Sequence, residues 1–133
     1  MTSIFTYGSL MFHDVWSVLV KGNYTSQKAT LAHYTRRCVK NDEYPVIFKG
    51  GENVEGVVYT NISNEDMAIL DAFEGEFYQR ITVDVQTQTQ IIQADVYVLK
   101  EEYFHIIEDK PWDVKEFATT GIKRFLSNYK GFA

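Results

Sequence analysis

The sequence predicts an α+β fold: a mixed sheet of about six short strands that closes towards a small barrel, with two or three helices packed at its side. Three observations carry that expectation. Apolar and polar residues alternate from Ile81 to Val98, a capped helical stripe runs between Ser63 and Gly75, and the elements do not follow the regular strand-helix alternation of a doubly wound sheet.

Residues Ser3 to Tyr7 are β-branched and aromatic and are stopped by Gly8-Ser9, which predicts a short opening strand and a turn from residue 8. From Phe12 to Val20 the apolar residues Val15, Trp16, Leu19 and Val20 recur at helical spacing before the breaker pair Gly22-Asn23, so a short helix is expected there. Lys28 to Val39, Val46 to Phe48 and Val54 to Thr60 are three further strand candidates, bounded by Gly or Pro.

Ser63 can cap a helix whose first turn carries Glu65 and Asp66, where negative charge is favoured. That helix runs to Phe73 and ends at Gly75. Its inward stripe is Met67, Leu70 and Glu74, with Phe73 alongside, which puts a carboxylate on or at the rim of the buried face. Period two then takes over. Ile81, Val83 and Val85 share one face, Ile92, Ala94, Val96 and Val98 another, and Thr87-Gln88-Thr89 makes the turn of a hairpin. Residues 101–112 follow no period and read as a loop with one helical turn. Asp113 and Glu116 form a capping box for a last helix through Phe117, Ile122, Phe125 and Leu126 to Tyr129, which Gly121 weakens.

A chain of 133 residues with no linker or repeat is expected to form one domain over residues 1–133. Apolar content of 45% against 23% charged residues excludes a disordered class. The net charge of −5, with no basic stripe to follow a phosphate backbone, argues against a nucleic-acid partner. Arg36-Arg37 reads as two solvated charges at a strand end. Cys38 stands alone, so no internal disulfide forms, and it reads as a small apolar filler. His13, His33 and His105 lack the spacing of a metal site, and neither metal nor cofactor is expected. The N-terminus lacks a signal peptide and no apolar run approaches the roughly 20 residues of a membrane span, so a cytoplasmic protein with no membrane partner is expected.

Two segments can carry chemistry. In Tyr7-Gly8-Ser9-Leu10, a Gly-Ser turn after a strand can point backbone N–H groups into a cleft, as an anion or oxyanion site requires; it is equally an ordinary turn. In Leu70 to Arg80, Glu74 is either the solvated last residue of a helix capped by Gly75 or a partly desolvated acid whose pKa is raised into the range of proton transfer. Arg80 can pair with Asp71 or Glu76. Ser9 lacks a His-Asp pair to activate it as a nucleophile, so its role there is shape.

Together, Tyr7-Gly8-Ser9-Leu10, Glu55-Gly56-Val57-Val58-Tyr59, and Leu70-Asp71-Ala72-Phe73-Glu74-Gly75 followed by Tyr78-Gln79-Arg80 resemble the γ-glutamylcyclotransferase-like superfamily, in particular its AIG2-like and γ-glutamylamine cyclotransferase branch. Tyr44-Pro45-Val46 is similar to a Tyr-Pro segment of the amine-specific members, whereas the interval Glu76-Phe77 is shorter than theirs. The resemblance implies a small β-barrel with a cavity at one end, Glu74 as the catalytic residue, and Tyr7, Gly8, Ser9, Leu10 and Tyr78 around the substrate. It implies a γ-glutamyl compound that closes on itself to 5-oxoproline and a free amine or amino acid, without metal or cofactor. A non-catalytic small-molecule-binding domain of the same fold is the alternative.

Overall fold

Strands of alternating burial close into a barrel in this chain, and helices pack outside it. The computed structural model describes residues 2–42 and 44–123. The chain opens with β1 (Thr2–Thr6), a short 3-10 helix (Ser9–Met11) and α1 (His13–Leu19). Two long strands follow, β2 (Ser26–Val39) and β3 (Pro45–Ile62), then α2 (Asn64–Glu74), β4 (Tyr78–Gln86) and β5 (Ile91–Leu99). A 3-10 turn (Glu101–Ile106), β6 (Ile107–Glu108), α3 (Val114–Glu116) and a π-helical turn (Phe117–Gly121) complete the described chain.

The hydrogen-bonded order is β3-β1-β5-β4-β2, and β2 pairs again with β3, so five strands form a closed sheet with β6 added to β2. Only β1 and β5 run parallel, which makes the sheet mixed. The α+β barrel expected from the sequence is thus the observed architecture. Phe5, Val54, Val58, Val85 and Val96 fill the barrel from inward positions, each at most 1% exposed. Each side chain of this size buried in that way contributes about 1.5–3 kcal/mol. The outer face of the sheet forms a second cluster with the helices, in which Trp16 of α1 stacks on Tyr59 at 3.7 Å.

Three expectations change. Val46 to Phe48 and Val54 to Thr60 are one continuous strand: β3 bulges at Gly50 to Glu52, three residues opposite the single His33 of β2, which takes a positive φ of 68°, and the register resumes beyond it. A glycine pair that reads as a stop in isolation is carried across by the partner strand. Residues 101–112 hold the expected helical turn, as a 3-10 turn, but add a short strand, because β6 finds Cys38 and Val39 as partners. The last helix begins as expected, with Asp113 accepting from the Glu116 N–H at 3.0 Å, but passes into a π turn around Gly121. Phe125, Leu126 and Tyr129 lie outside the described residues.

The long hairpin is as the alternation predicts, though β4 starts at Tyr78 rather than Ile81. Its turn is closed by Thr87, whose hydroxyl donates to the Gln90 carbonyl at 2.9 Å and accepts from the Gln90 N–H at 3.2 Å.

Asp66 does more than face the positive end of α2. It is 4% exposed, and its carboxylate accepts from the N–H groups of Lys21 and Gly22 and from the Tyr24 hydroxyl. Burial alone would raise its pKa, yet these donors together hold it below the usual carboxylate value. The loop after α1 is thereby pinned to the start of α2, where Ser63 accepts from the Asp66 N–H. Asp66→Ala leaves those donors unmatched and should cost about 2–3 kcal/mol in urea unfolding at neutral pH. Because the folded-state pKa lies below that of the unfolded chain, the wild-type advantage should shrink as pH falls through the carboxylate range; an advantage constant with pH would show the charge to be irrelevant.

Candidate functional site

At one end of the barrel, where β1 and β5 finish and β4 begins, lies a cavity of about 300 Å³. Its lining brings together Tyr7, Gly8, Ser9 and Leu10 after β1, Glu74 at the end of α2 and Tyr78 at the start of β4. Tyr44, Pro45, Phe73, Phe77 and Tyr97 complete most of an aromatic wall. The volume suits a small molecule rather than a polymer.

Two glycines make that convergence possible. Gly75 caps α2 with φ 76° and ψ −161°, a region open essentially to glycine alone, and so turns the chain into β4 directly after Glu74. Gly8 lies under Pro45: a β-carbon there would stand 2.8 Å from the proline ring. The first turn of the chain and the first residue of β3 can therefore close over one another only if position 8 has no side chain.

The segment from residue 7 to residue 10 has its carbonyls and its N–H groups in opposite situations. The Tyr7 carbonyl accepts from Arg36 Nη1 at 2.8 Å, Gly8 from the Met11 N–H at 3.0 Å, Ser9 from the Phe12 N–H at 3.1 Å, and Leu10 from the Tyr59 hydroxyl at 3.4 Å. The N–H groups of Gly8, Ser9 and Leu10, all buried residues, meet no acceptor among the described residues. Three unmatched donors on the wall of a cavity form a cradle for an anionic group.

Glu74 is an acid in the same lining. It is half-buried at the mouth, no ion pair with it forms among the described residues, and burial, reinforced by Asp71 one turn earlier, raises its pKa to about 8. Asp71 itself is matched, by Arg80 at 3.1 Å and the Tyr97 hydroxyl at 2.7 Å. The tyrosines around Glu74 are raised as well, which takes them further from neutral pH. Burial, then Glu74, raises Tyr7, while burial and Asp42 push Tyr44 up to about 12. Burial, followed by the acidic groups around it, also raises Tyr78. The phenols thus keep their protons, and Glu74 is the lining group brought into the range where a proton can be both taken and returned.

Some expected residues line the cavity with their polar groups already engaged. The Tyr7 hydroxyl donates to the Tyr97 carbonyl at 2.6 Å, and the Tyr78 hydroxyl donates to the Pro45 carbonyl at 3.2 Å, tying β4 to β3 across the mouth. Arg80 pairs with Asp71 and Asp95, the latter at 3.0 Å, not with Glu76. Arg36, read as solvated, is half-buried. Its guanidinium lies 5.4 Å from the Trp112 ring and bonds the Tyr7 and Glu55 carbonyls, contacts set by strand pairing and thus absent from local sequence. Phe73, alongside the helical stripe, and Phe77, just past the Gly75 stop, are close enough to Glu74 in sequence to have been added to the wall; Tyr97 could not, since it falls on the outward face of its strand's alternation. Among the described residues no cluster of His, Cys, Asp and Glu is placed to hold a metal ion, and no helix is long and apolar enough to cross a membrane.

Comparison with known proteins bears on the family and the fold. The model of the family described as gamma-glutamyl cyclotransferase, AIG2-like, matches residues 4–114. AIG2-like protein D of Arabidopsis thaliana is 31% identical over 142 residues, spanning 100% of this chain and 90% of that protein. A solution structure of an Arabidopsis thaliana protein superposes with a TM-score of 0.71 at 25% identity, covering 97% of this chain and 88% of the other. A structure named gamma-glutamyl cyclotransferase gives a TM-score of 0.68 over 99% of this chain and 92% of its own; at 17% identity that likeness is one of fold.

The burial of Glu74 has a thermodynamic signature. Its carboxyl ionises near 4.5 in the unfolded chain and about 8 in the folded one, so the unfolded state gives up its proton first and stability falls as pH rises between those values. Glu74→Gln has no such proton. Its melting temperature should exceed that of wild type by a margin that grows from the acid to the alkaline end of this window and then levels off, and a margin independent of pH in paired melts would show the carboxyl to be solvated.

Proposed function

Because the chain belongs to the gamma-glutamyl cyclotransferase, AIG2-like family, we propose that it cyclises a γ-glutamyl compound by intramolecular aminolysis, releasing 5-oxoproline and a free amine. The observation that carries this reading is that the lining of one small cavity holds an acid, Glu74, and three backbone donors, none of which is paired among the described residues.

In the first step the α-amino nitrogen of the γ-glutamyl group attacks its own γ-carbonyl carbon, and Glu74 takes the proton that the nitrogen must lose. The oxygen of the tetrahedral intermediate gains negative charge and receives the N–H groups of residues 8 to 10, donors fixed in the backbone of the turn. As the bond to the leaving nitrogen breaks, Glu74 returns its proton to that nitrogen. Atoms and protons balance without water or a covalent enzyme intermediate. The aromatic wall holds the γ-glutamyl chain folded, so that a five-membered ring closes between groups of one molecule.

The charges of the cavity narrow the substrate. Its lining carries Glu74 and Glu76 and, among the described residues, no cation. The three N–H groups are what it offers an anion, and a second carboxylate on the leaving group would meet none of them. The reading therefore favours a γ-glutamyl amine over a γ-glutamyl amino acid or peptide.

The test is 5-oxoproline release from a panel of γ-glutamyl amines and γ-glutamyl amino acids. Amines should give the higher kcat/KM, and kcat/KM should rise with pH and level off above about 8 as Glu74 becomes ionised. Glu74→Gln should lower kcat by about 10²–10⁴-fold with the fold intact. Tight binding of a γ-glutamyl compound with no 5-oxoproline formed would instead establish a non-catalytic binding domain, and near-normal turnover by the variant would remove Glu74 from the chemistry.

A further inference from the structure

Of the four carbonyls that turn away from the cavity at residues 7 to 10, three are held by uncharged donors and one by a cation. That one belongs to Tyr7, and Arg36, which holds it, does not line the cavity. A trans peptide points its C=O and N–H in opposite directions. No peptide bond in the described chain is cis, so a Tyr7 carbonyl fixed towards Arg36 leaves the Gly8 N–H pointing away from it. The same peptide is the one in this segment most able to turn over. Rotating it changes ψ of Tyr7 and φ of Gly8 together, and glycine accepts either sign of φ. Turned over, it would present a carbonyl oxygen to the anion that the cradle has to stabilise.

We propose that Arg36 is a positioning residue that clamps the Tyr7–Gly8 peptide and thereby aims the Gly8 N–H into the cavity. Its part in turnover rests on the cyclotransferase reading given above. Arg36 is suited to the task because it is itself held. Nη1 also donates to the Glu55 carbonyl at 3.2 Å, and the guanidinium lies against the Trp112 ring. Its half-burial limits competition from water, and a charged donor on the carbonyl polarises the amide so that the N–H at the other end donates more strongly.

Two variants separate the clamp from simple packing. Arg36→Met keeps the aliphatic stem against Trp112 and removes every donor; Arg36→Lys keeps one cationic donor. The orientation of the Gly8 N–H vector is read from residual dipolar couplings, with Ser9 and Leu10 as internal references, and kcat and KM are read with a γ-glutamyl substrate. Arg36→Met should reorient the Gly8 vector and leave the other two, and should lower kcat about 10²-fold, the loss typical of one oxyanion donor, with KM little changed. Arg36→Lys should recover much of both. If Arg36→Met does not fold, Arg36→Gln, with a single uncharged donor on a shorter stem, is read in the same way. An unchanged Gly8 vector overturns the clamp, and a turned vector with unchanged kcat overturns its role in the reaction. Should the wild-type protein release no 5-oxoproline, the cyclotransferase reading fails while the dipolar couplings still decide whether Arg36 sets the peptide.

Discussion

A closed sheet requires every strand to find two neighbours, and in this chain the shortest strand of the barrel, β1, lies at the point where the requirement is tightest. It pairs antiparallel with β3 through Ile4, Phe5 and Thr6 and parallel with β5 at Ile4 and Asp95. Because β1 and β5 run the same way, their last residues emerge at the same end. The segment from Tyr7 to Leu10 leaves there. β4, antiparallel to β5, has to begin there, and α2 must deliver its last residue to the same place. β3 runs past the end of β1 and its first residue, Pro45, returns over Gly8. The position of the cavity is thus a consequence of barrel closure, before any side chain in it is considered.

Within that geometry, two acids one turn apart on α2 meet opposite surroundings. Asp71 lies towards a polar depression that backs onto the cavity, where Arg80 and Tyr97 satisfy it. Glu74 faces aromatic rings and receives no counter-charge among the described residues. An unpaired buried acid costs stability, and a fold retains one only where the rest of the structure can offset it. Here the offset comes from two apolar clusters and from polar ties such as Asp66, whose buried charge is fully provided with donors. Asp66 and Glu74 thus differ in their surroundings: one carboxylate is fully provided with donors, the other has no ion pair among the described residues.

What the sequence discloses is what local rules decide. The cap at Ser63, the stripe of Met67, Leu70 and Glu74, the stop at Gly75 and the alternation along β4 and β5 are each set within a few residues, and their reading matches the structure. The continuity of β3 through Gly50-Gly51 was hidden because it depends on pairing with another strand, β2, on both sides of the bulge opposite His33. Arg36 looked solvated because its acceptors, the carbonyls of Tyr7 and Glu55, are brought to it only by the β2–β3 pairing and barrel closure. Tyr97 was missed for a related reason: β5 is buried on both faces, so its period of two marks only half of what it packs.

A cradle made of N–H groups is encoded by the path of the main chain rather than by the identity of its side chains. Every residue except proline supplies the same donor, so positions 9 and 10 can change as far as packing permits while the donors stay where they are. The intolerance falls instead on backbone geometry: on Gly8, which must let Pro45 close over it, and on Gly75, which must take a backbone angle that other residues avoid. In a chain with this architecture, divergence can therefore reshape the wall of the cavity, at Phe73, Phe77 and Tyr44, one side chain at a time, without disturbing the N–H groups of the turn.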